Sequence, residues 1–201
     1  MKPFPMKPLP LPKFRGAPGD YLGLAFFSTA ALLAGLAFGE HPTLGTALAG
    51  VHNLLLAVCY TRRRPNTRRD IPGLVLGLLA AAVPLAVRPE HLPPALLLPG
   101  LAGWGLSVWA LLALDRSFGI APADRGLVQR GPYRLVRHPM YLGELIFRAA
   151  LVGAGWSAGN GLLLGLLVAL QIARIRREER LIAGYPDYAR AVRWRLIPGL
   201  W

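Results

Sequence analysis

Lysine is confined to Lys2, Lys7 and Lys13, a single cysteine is present, and ten acidic residues face 23 basic ones in a chain of 201. The lone Cys59 excludes an internal disulfide and a cysteine-built metal cluster, so we expect it to pack and expect no metal site. Confining lysine to the first residues leaves arginine as the cation everywhere else, which reads as codon bias more than function. Also missing is any polar stretch long enough for a soluble catalytic domain. A formal charge of +13 and a pI near 11.2 would suit a nucleic-acid binder, but that class needs a soluble fold with a basic face. Here 54% of residues are hydrophobic, mean hydropathy is +0.41, and apolar runs reach bilayer-crossing length, so we expect membrane lipids and no nucleic acid as partners.

Residues 1–19 carry prolines at positions 3, 5, 8, 10, 12 and 18 among basic residues and have no apolar core, which predicts a basic, Pro-rich tail at the membrane surface. Four apolar segments follow at 21–39, 43–61, 71–87 and 92–114, making 20–114 a unit of four transmembrane helices. Residues 115–201 form the third region. It holds a polar stretch, two further apolar segments at 139–152 and 157–173 around Gly153-Ala154-Gly155-Trp156, and a charged end. The expected fold is therefore an all-α polytopic membrane bundle of about six apolar helices, the last two forming a hairpin.

Basic residues crowd alternate loops: Arg62, Arg63, Arg64, Arg68 and Arg69, then Arg116, Arg125, Arg130, Arg134 and Arg137, then the arginines from Arg174 to Arg195. The intervening loops hold only Arg88. By the positive-inside rule both termini and residues 115–138 face the cytoplasm, where any active site must be built. Brevity and arginine-rich composition suggest a bacterial plasma membrane.

In Arg137-His138-Pro139-Met140-Tyr141, proline suits a helix's first turn, and the free amides beyond it, with Arg137 and His138, form an anion site for a carboxylate or phosphate. Headgroup anchoring is the plainer alternative. At 100° per residue Arg137, Tyr141, Glu144 and Arg148 fall within roughly 60° of one another, one polar stripe that either lines a wet cavity or fastens helices through a Glu144 to Arg148 pair. Downstream, Arg174 and Glu178 stand one turn apart and can offer a cation to one ligand and a carboxylate to another; a solvated helix end is the plainer reading. His52 and Asn53 are expected to hydrogen-bond a neighbouring helix, and Gly103-Trp104-Gly105 to permit close packing.

The stretch from Arg125 through Gly131-Pro132-Tyr133-Arg134 and Arg137-His138-Pro139-Met140-Tyr141-Leu142-Gly143, followed by Arg174, Glu178 and Glu179, resembles the isoprenylcysteine carboxyl methyltransferase and phospholipid methyltransferase superfamily of integral membrane enzymes. The resemblance covers about residues 100–200 and implies S-adenosyl-L-methionine as cofactor, held at the cytosolic end of the last helices, with a lipophilic small-molecule or lipidated substrate arriving from the bilayer. It implies cofactor contacts from Leu127, Val128, Tyr133, Arg137, His138, Tyr141, Gly143, Glu178 and Glu179, and a catalytic, substrate-orienting role for Arg174; Glu144 and Arg148 are cavity residues. Gly103 and Gly105 resemble the glycine motif of the phospholipid enzymes. The family's tail often reads Phe-Gly-x-x-Tyr-x-x-Tyr, whereas here Tyr185-Pro186-Asp187-Tyr188 is followed by Ala191. Glu144 directly after Gly143 also occurs in membrane steroid reductase-like proteins, which use a nicotinamide cofactor such as NADPH. A non-catalytic scaffold or transporter would differ from both in having no nucleotide-sized pocket beside His138, Tyr141 and Glu178.

Overall fold

A computed structural model describes residues 18–64, 70–86, 92–121 and 123–201, and all regular structure among them is helical. The Pro-rich tail before residue 18, and Arg68, Arg69 and Arg88 of the loops, lie outside the described residues. Six apolar helices run in order: α1 (Pro18–Glu40), α2 (Leu44–Arg62), α3 (Ile71–Ala86), α4 (Pro94–Leu114), α5 (Pro139–Ala154) and α6 (Ala158–Leu181). A short α7 (Tyr185–Ala191) follows. Helices α1, α2, α4 and α6 are long and apolar enough to cross a membrane; α3 and α5 have 16 residues each. The hairpin of α5 and α6 is present, but α6 continues two turns past residue 173, carrying its arginines and glutamates on the helix itself.

Local chemistry sets these boundaries. Thr43 caps α2 by accepting from Thr46 N at 3.1 Å, and Ser157 caps α6 by accepting from Asn160 N at 3.1 Å, while Asn160 Nδ2 donates back to Gly155 O at 2.7 Å and closes the hairpin turn. Proline opens α4 and α5 at the position where its missing N–H costs nothing. Leu32, Leu36, Leu98 and Leu162 stay exposed on the outer faces, as a lipid-facing surface requires.

The starts of α1, α3 and α5 and the ends of α2, α4 and α6 gather at one end of the bundle. Arg63 pairs with Asp20, Arg177 with Asp70 and Tyr141 with Glu178; Arg64 N donates to Arg116 O at 2.8 Å. Helix α4 packs on α5 through glycines: a methyl on Gly143 would lie 2.5 Å from Gly103 O, and one on Gly103 would lie 2.8 Å from Gly143 O.

Between α4 and α5 the chain dips into this polar end as a strap. Ile120 is 2% exposed; its N–H donates to Tyr60 Oη at 2.7 Å, its carbonyl accepts from Arg174 Nη2 at 3.1 Å, and it sits against Gly77 of α3. The strap's Phe118 joins Phe27, Leu56, Tyr60 and Leu111 in the main apolar core, with half-buried Cys59 packed against it.

Candidate active site

The Arg-His-Pro turn places Arg137 and His138 below the backbone of the C-terminal segment, where Arg137 N donates to Trp194 O and His138 N to Arg195 O, both at 2.9 Å. His138 Nε2 lies 2.9 Å from Tyr185 Oη and 3.4 Å from Glu179 Oε1, and the imidazole stacks on the Tyr141 ring at 5.7 Å. Glu179 receives Arg195 through Nε at 3.0 Å and Nη2 at 3.0 Å, with Arg137 Nη1 3.7 Å away. Glu178, one residue earlier, turns the other way: it accepts from Tyr141 Oη and lies 3.8 Å from His138 Nδ1. The acidic pair thus divides. Glu179 is wholly engaged in fixing Arg137, His138 and Arg195, and Glu178 faces a cavity.

That cavity is about 740 Å3, including its open mouth. Leu127, Val128 and Phe118 give it apolar walls, Tyr133, Tyr141, Tyr185 and Tyr188 aromatic ones, and Arg125, Arg137, His138 and Glu178 its ionisable groups. Burial pushes the phenols of Tyr133, Tyr185 and Tyr188 up, those of Tyr133 and Tyr185 with help from nearby carboxylates, so all three are neutral hydroxyls at physiological pH. Tyr188 Oη donates to Tyr133 O at 2.7 Å, tying α7 to the loop. Burial and then neighbouring Arg63 lower Arg125 to about 10, which leaves it a cation at neutral pH. Buried Nε atoms of Arg125 and Arg137 have no partner.

A second cavity of about 510 Å3 lies among α1, α2, α3, α5 and α6, and Phe118 and Met140 line both. The polar stripe on α5 splits between the two. Tyr141 walls the first; Glu144 and Arg148 line the second, as does Arg174, whose guanidinium lies over the Tyr141 ring at 4.8 Å. Arg174 and Glu178 accordingly serve different cavities from one helix face.

Several expected residues stand elsewhere. Gly143 lines neither cavity and is spent on the close approach to α4, as is Gly103; Gly105 meets open space. Glu179 stands behind His138 and does not line the cavity wall. Glu144 accepts from Gln171 Nε2 at 2.7 Å and does not fasten itself to Arg148. Asn53 donates to Ala49 O of its own helix at 2.9 Å, not to a neighbour; the bond from α4 to α2 is made by Trp104 Nε1 to Leu48 O at 3.1 Å. Sequence reasoning missed Phe118, Arg125, Met140, Tyr185 and Tyr188 as lining residues. The Tyr185-Pro186-Asp187-Tyr188 spacing could have signalled the last two, since both rings turn inward on α7 while Ala191, at the family's second tyrosine position, is exposed.

Residues 100–185 match the phospholipid methyltransferase family. This is a family of membrane methyltransferases within the superfamily that the motifs resemble. The match to the phospholipid methyltransferases runs from α4 to the first residue of α7, so it includes the strap, the Arg-His-Pro turn, the hairpin and the acidic pair. No curated protein and no solved structure matches the chain. Of the two enzyme classes that share the Arg-His-Pro run, the match falls to the methyltransferases.

Proposed function

We propose that the chain is an S-adenosyl-L-methionine-dependent methyltransferase for a lipophilic acceptor, working at the cytoplasmic face of a bacterial plasma membrane. The observation that carries this reading is the meeting of two cavities at Phe118 and Met140, one walled, apart from Tyr188, by the methyltransferase-matched region, the other lined from α1, α2, α3, α5, α6 and the strap. The first suits the cofactor in charge. Its unpartnered buried guanidinium nitrogens on Arg125 and Arg137 call for a carboxylate, and the Glu178 carboxylate calls for an ammonium or ribose hydroxyls. A ligand bearing both charges satisfies both demands.

When bound, S-adenosylmethionine supplies a methyl group on a sulfonium, which leaves by in-line displacement that needs chiefly alignment and dryness. The protein's share follows from its geometry. Leu127, Val128 and Phe118 exclude water, Tyr133, Tyr141 and Tyr185 wall the site, and Glu179 positions His138 and Arg137. Arg174, set behind Tyr141 on the second cavity's side, orients the acceptor.

Thermal unfolding of the detergent-solubilised protein tests this against titrants. S-Adenosylmethionine and S-adenosylhomocysteine should raise the transition, as ligands of the native state do, and NADPH should not. A rise with NADPH alone would overturn the proposal in favour of the reductase-like class.

A further inference from the structure

Three arginines from three separate segments meet at the polar end of the bundle, outside both cavities. Arg64 follows α2, Arg116 follows α4 and Arg130 precedes the Gly-Pro-Tyr-Arg turn; together they line an open cleft of about 700 Å3 in which Asp115 is the one carboxylate among the described residues. Each is held by a single side-chain nitrogen. Arg116 Nε donates to Arg62 O at 3.1 Å and Arg130 Nε to Ala113 O at 2.9 Å, which satisfies carbonyls left over at the ends of α2 and α4, while Arg64 Nη1 donates to Arg125 O at 3.2 Å. A guanidinium has five N–H donors, so most of each stays available.

No carboxylate claims them. The ion pairs among the described residues are made by Arg63, Arg137, Arg177, Arg190 and Arg195 instead, and Asp124 of the same loop is taken up by the N–H groups of Gly126 and Ala183, both at 3.2 Å. Capping explains each arginine's bond singly, but it does not require the three to converge. Just beneath the cleft, the outer face of α4 exposes Leu112 and Trp109, about 3 and 8 Å back from the helix end. Indoles settle at the headgroup boundary of a bilayer. Guanidiniums above, an apolar side chain and an indole below, repeat the order of a phospholipid from phosphate to chain.

We propose that the cleft binds the phosphate of an anionic phospholipid of the adjoining leaflet, with a chain along Leu112 and Trp109, and that this lipid is a resident that braces the first cavity and is not consumed in it. Leu114, Ser117, Leu127 and Val128 line both the cleft and the first cavity, so the two sites share a wall. A ligand that orders one side of a common wall favours a ligand on the other, and the coupling is reciprocal. A zwitterionic choline head carries its own cation into the surplus and is disfavoured. The bracing of a cofactor rests on the methyltransferase reading; the lipid binding does not.

The test uses the full chain in neutral detergent and follows the thermal transition with dioleoylphosphatidylglycerol, dioleoylphosphatidylcholine, dioleoylglycerol and inorganic phosphate. It compares the parent, the cleft pair Arg116→Gln with Arg130→Gln, and a control pair of exposed arginines outside the cleft, Arg180→Gln with Arg193→Gln. Phosphatidylglycerol should stabilise the parent, and the choline lipid and the diglyceride should do so weakly or not at all. The cleft pair should raise the half-saturating phosphatidylglycerol concentration roughly tenfold or more, the worth of a charge-assisted bond, and the control pair should stay within about twofold of the parent. Where the cleft pair does not fold, Arg130→Gln alone should shift the same curve by about threefold or more. Equal responses to the two phospholipids, an equal loss in the control pair, or an equal or greater response to inorganic phosphate would each overturn the proposal, the last by making the cleft a site for a soluble anion. Saturating phosphatidylglycerol should also lower the half-saturating S-adenosylhomocysteine concentration about fivefold in the parent and not in the cleft pair, and an unchanged curve in the parent would overturn the bracing. A parent that answers phosphatidylglycerol but neither S-adenosylmethionine nor S-adenosylhomocysteine would sink the cofactor reading and leave the lipid site standing; the reverse would sink the lipid site alone.

Discussion

The two cavities that meet at Phe118 and Met140 each carry two guanidiniums and one carboxylate, and they hold them by different means. Around the first, the Glu179 carboxylate is surrounded by Arg195, Arg137, His138 and Tyr185, so its wall is set before any ligand arrives, and what stays open is a matched pair of demands: cationic nitrogens on Arg125 and Arg137, a carboxylate on Glu178. In the second, neutral Gln171 links the Glu144 carboxylate to the Arg174 guanidinium, and Arg148, one turn along α5 from Glu144, keeps a buried Nε without a partner. A preorganised wall suits a ligand that is the same in every turnover.

The comparison breaks first at Glu178. Among the described residues it alone supplies negative charge to the first cavity, and it supplies none to the second, so Glu178→Gln should abolish the thermal shift with S-adenosylmethionine and lower kcat/KM by about 100-fold or more, the cost of losing a buried charge-assisted contact. Retention of the full shift would remove Glu178 from the cofactor site. Arg174→Ala is the converse. Arg174 lines only the second cavity, so the cofactor shift should survive while turnover falls, by an order of magnitude or more if the guanidinium orients the acceptor. Calorimetric titration of the cofactor beside a turnover assay separates the two variants, and loss of cofactor affinity in Arg174→Ala would erase the division between cavities.

Much of the first cavity was legible before any coordinates. Apolar runs fix the number of helices, proline fixes where α5 begins, and the spacing of Arg174 and Glu178 puts a cation and a carboxylate on one helix face. The partition between the cavities was not legible. Phe118 and Ile120 read as loop residues, and nothing in their immediate sequence tells that Tyr60, Gly77 and Arg174, each far away along the chain, leave a slot into which the strap folds. The place of Gly143 was hidden for a related reason. Gly143 sits inside the motif and resembles a cofactor contact, but its missing side chain is used by α4, whose position follows from long-range packing.

That packing supplies the next prediction. A methyl on Gly143 would lie 2.5 Å from both Gly103 O and Ser107 N, backbone atoms that cannot rotate away, so Gly143→Ala should force α4 and α5 apart at a cost of about 1–3 kcal/mol. Gly105→Ala meets open space and should leave the stability within about 0.5 kcal/mol of the parent's. Equal behaviour of the two variants would mean that the α4–α5 seam does not hold the polar wall in place.

The smallest effect belongs to the tie between α3, which lines only the second cavity, and the polar end of α6. Arg177 holds Asp70 there through two hydrogen bonds, one of 2.7 Å from Nε to Oδ2, and this guanidinium keeps the Asp70 carboxyl below the usual carboxylate range. A carboxylate depressed in the folded state stabilises that state above its unfolded value, about pH 3.9, and ceases to do so as pH falls through the folded value. The parent should therefore exceed Asp70→Asn in stability by a constant amount from neutral pH down to about 4, and the gap should close below it. Arg177 is 37% exposed, so the gap should stay within about 1 kcal/mol. Because the tie does not touch Glu178, the response to S-adenosylmethionine should be the parent's in Asp70→Asn, and a loss of that response would make the position of α3 part of the cofactor site.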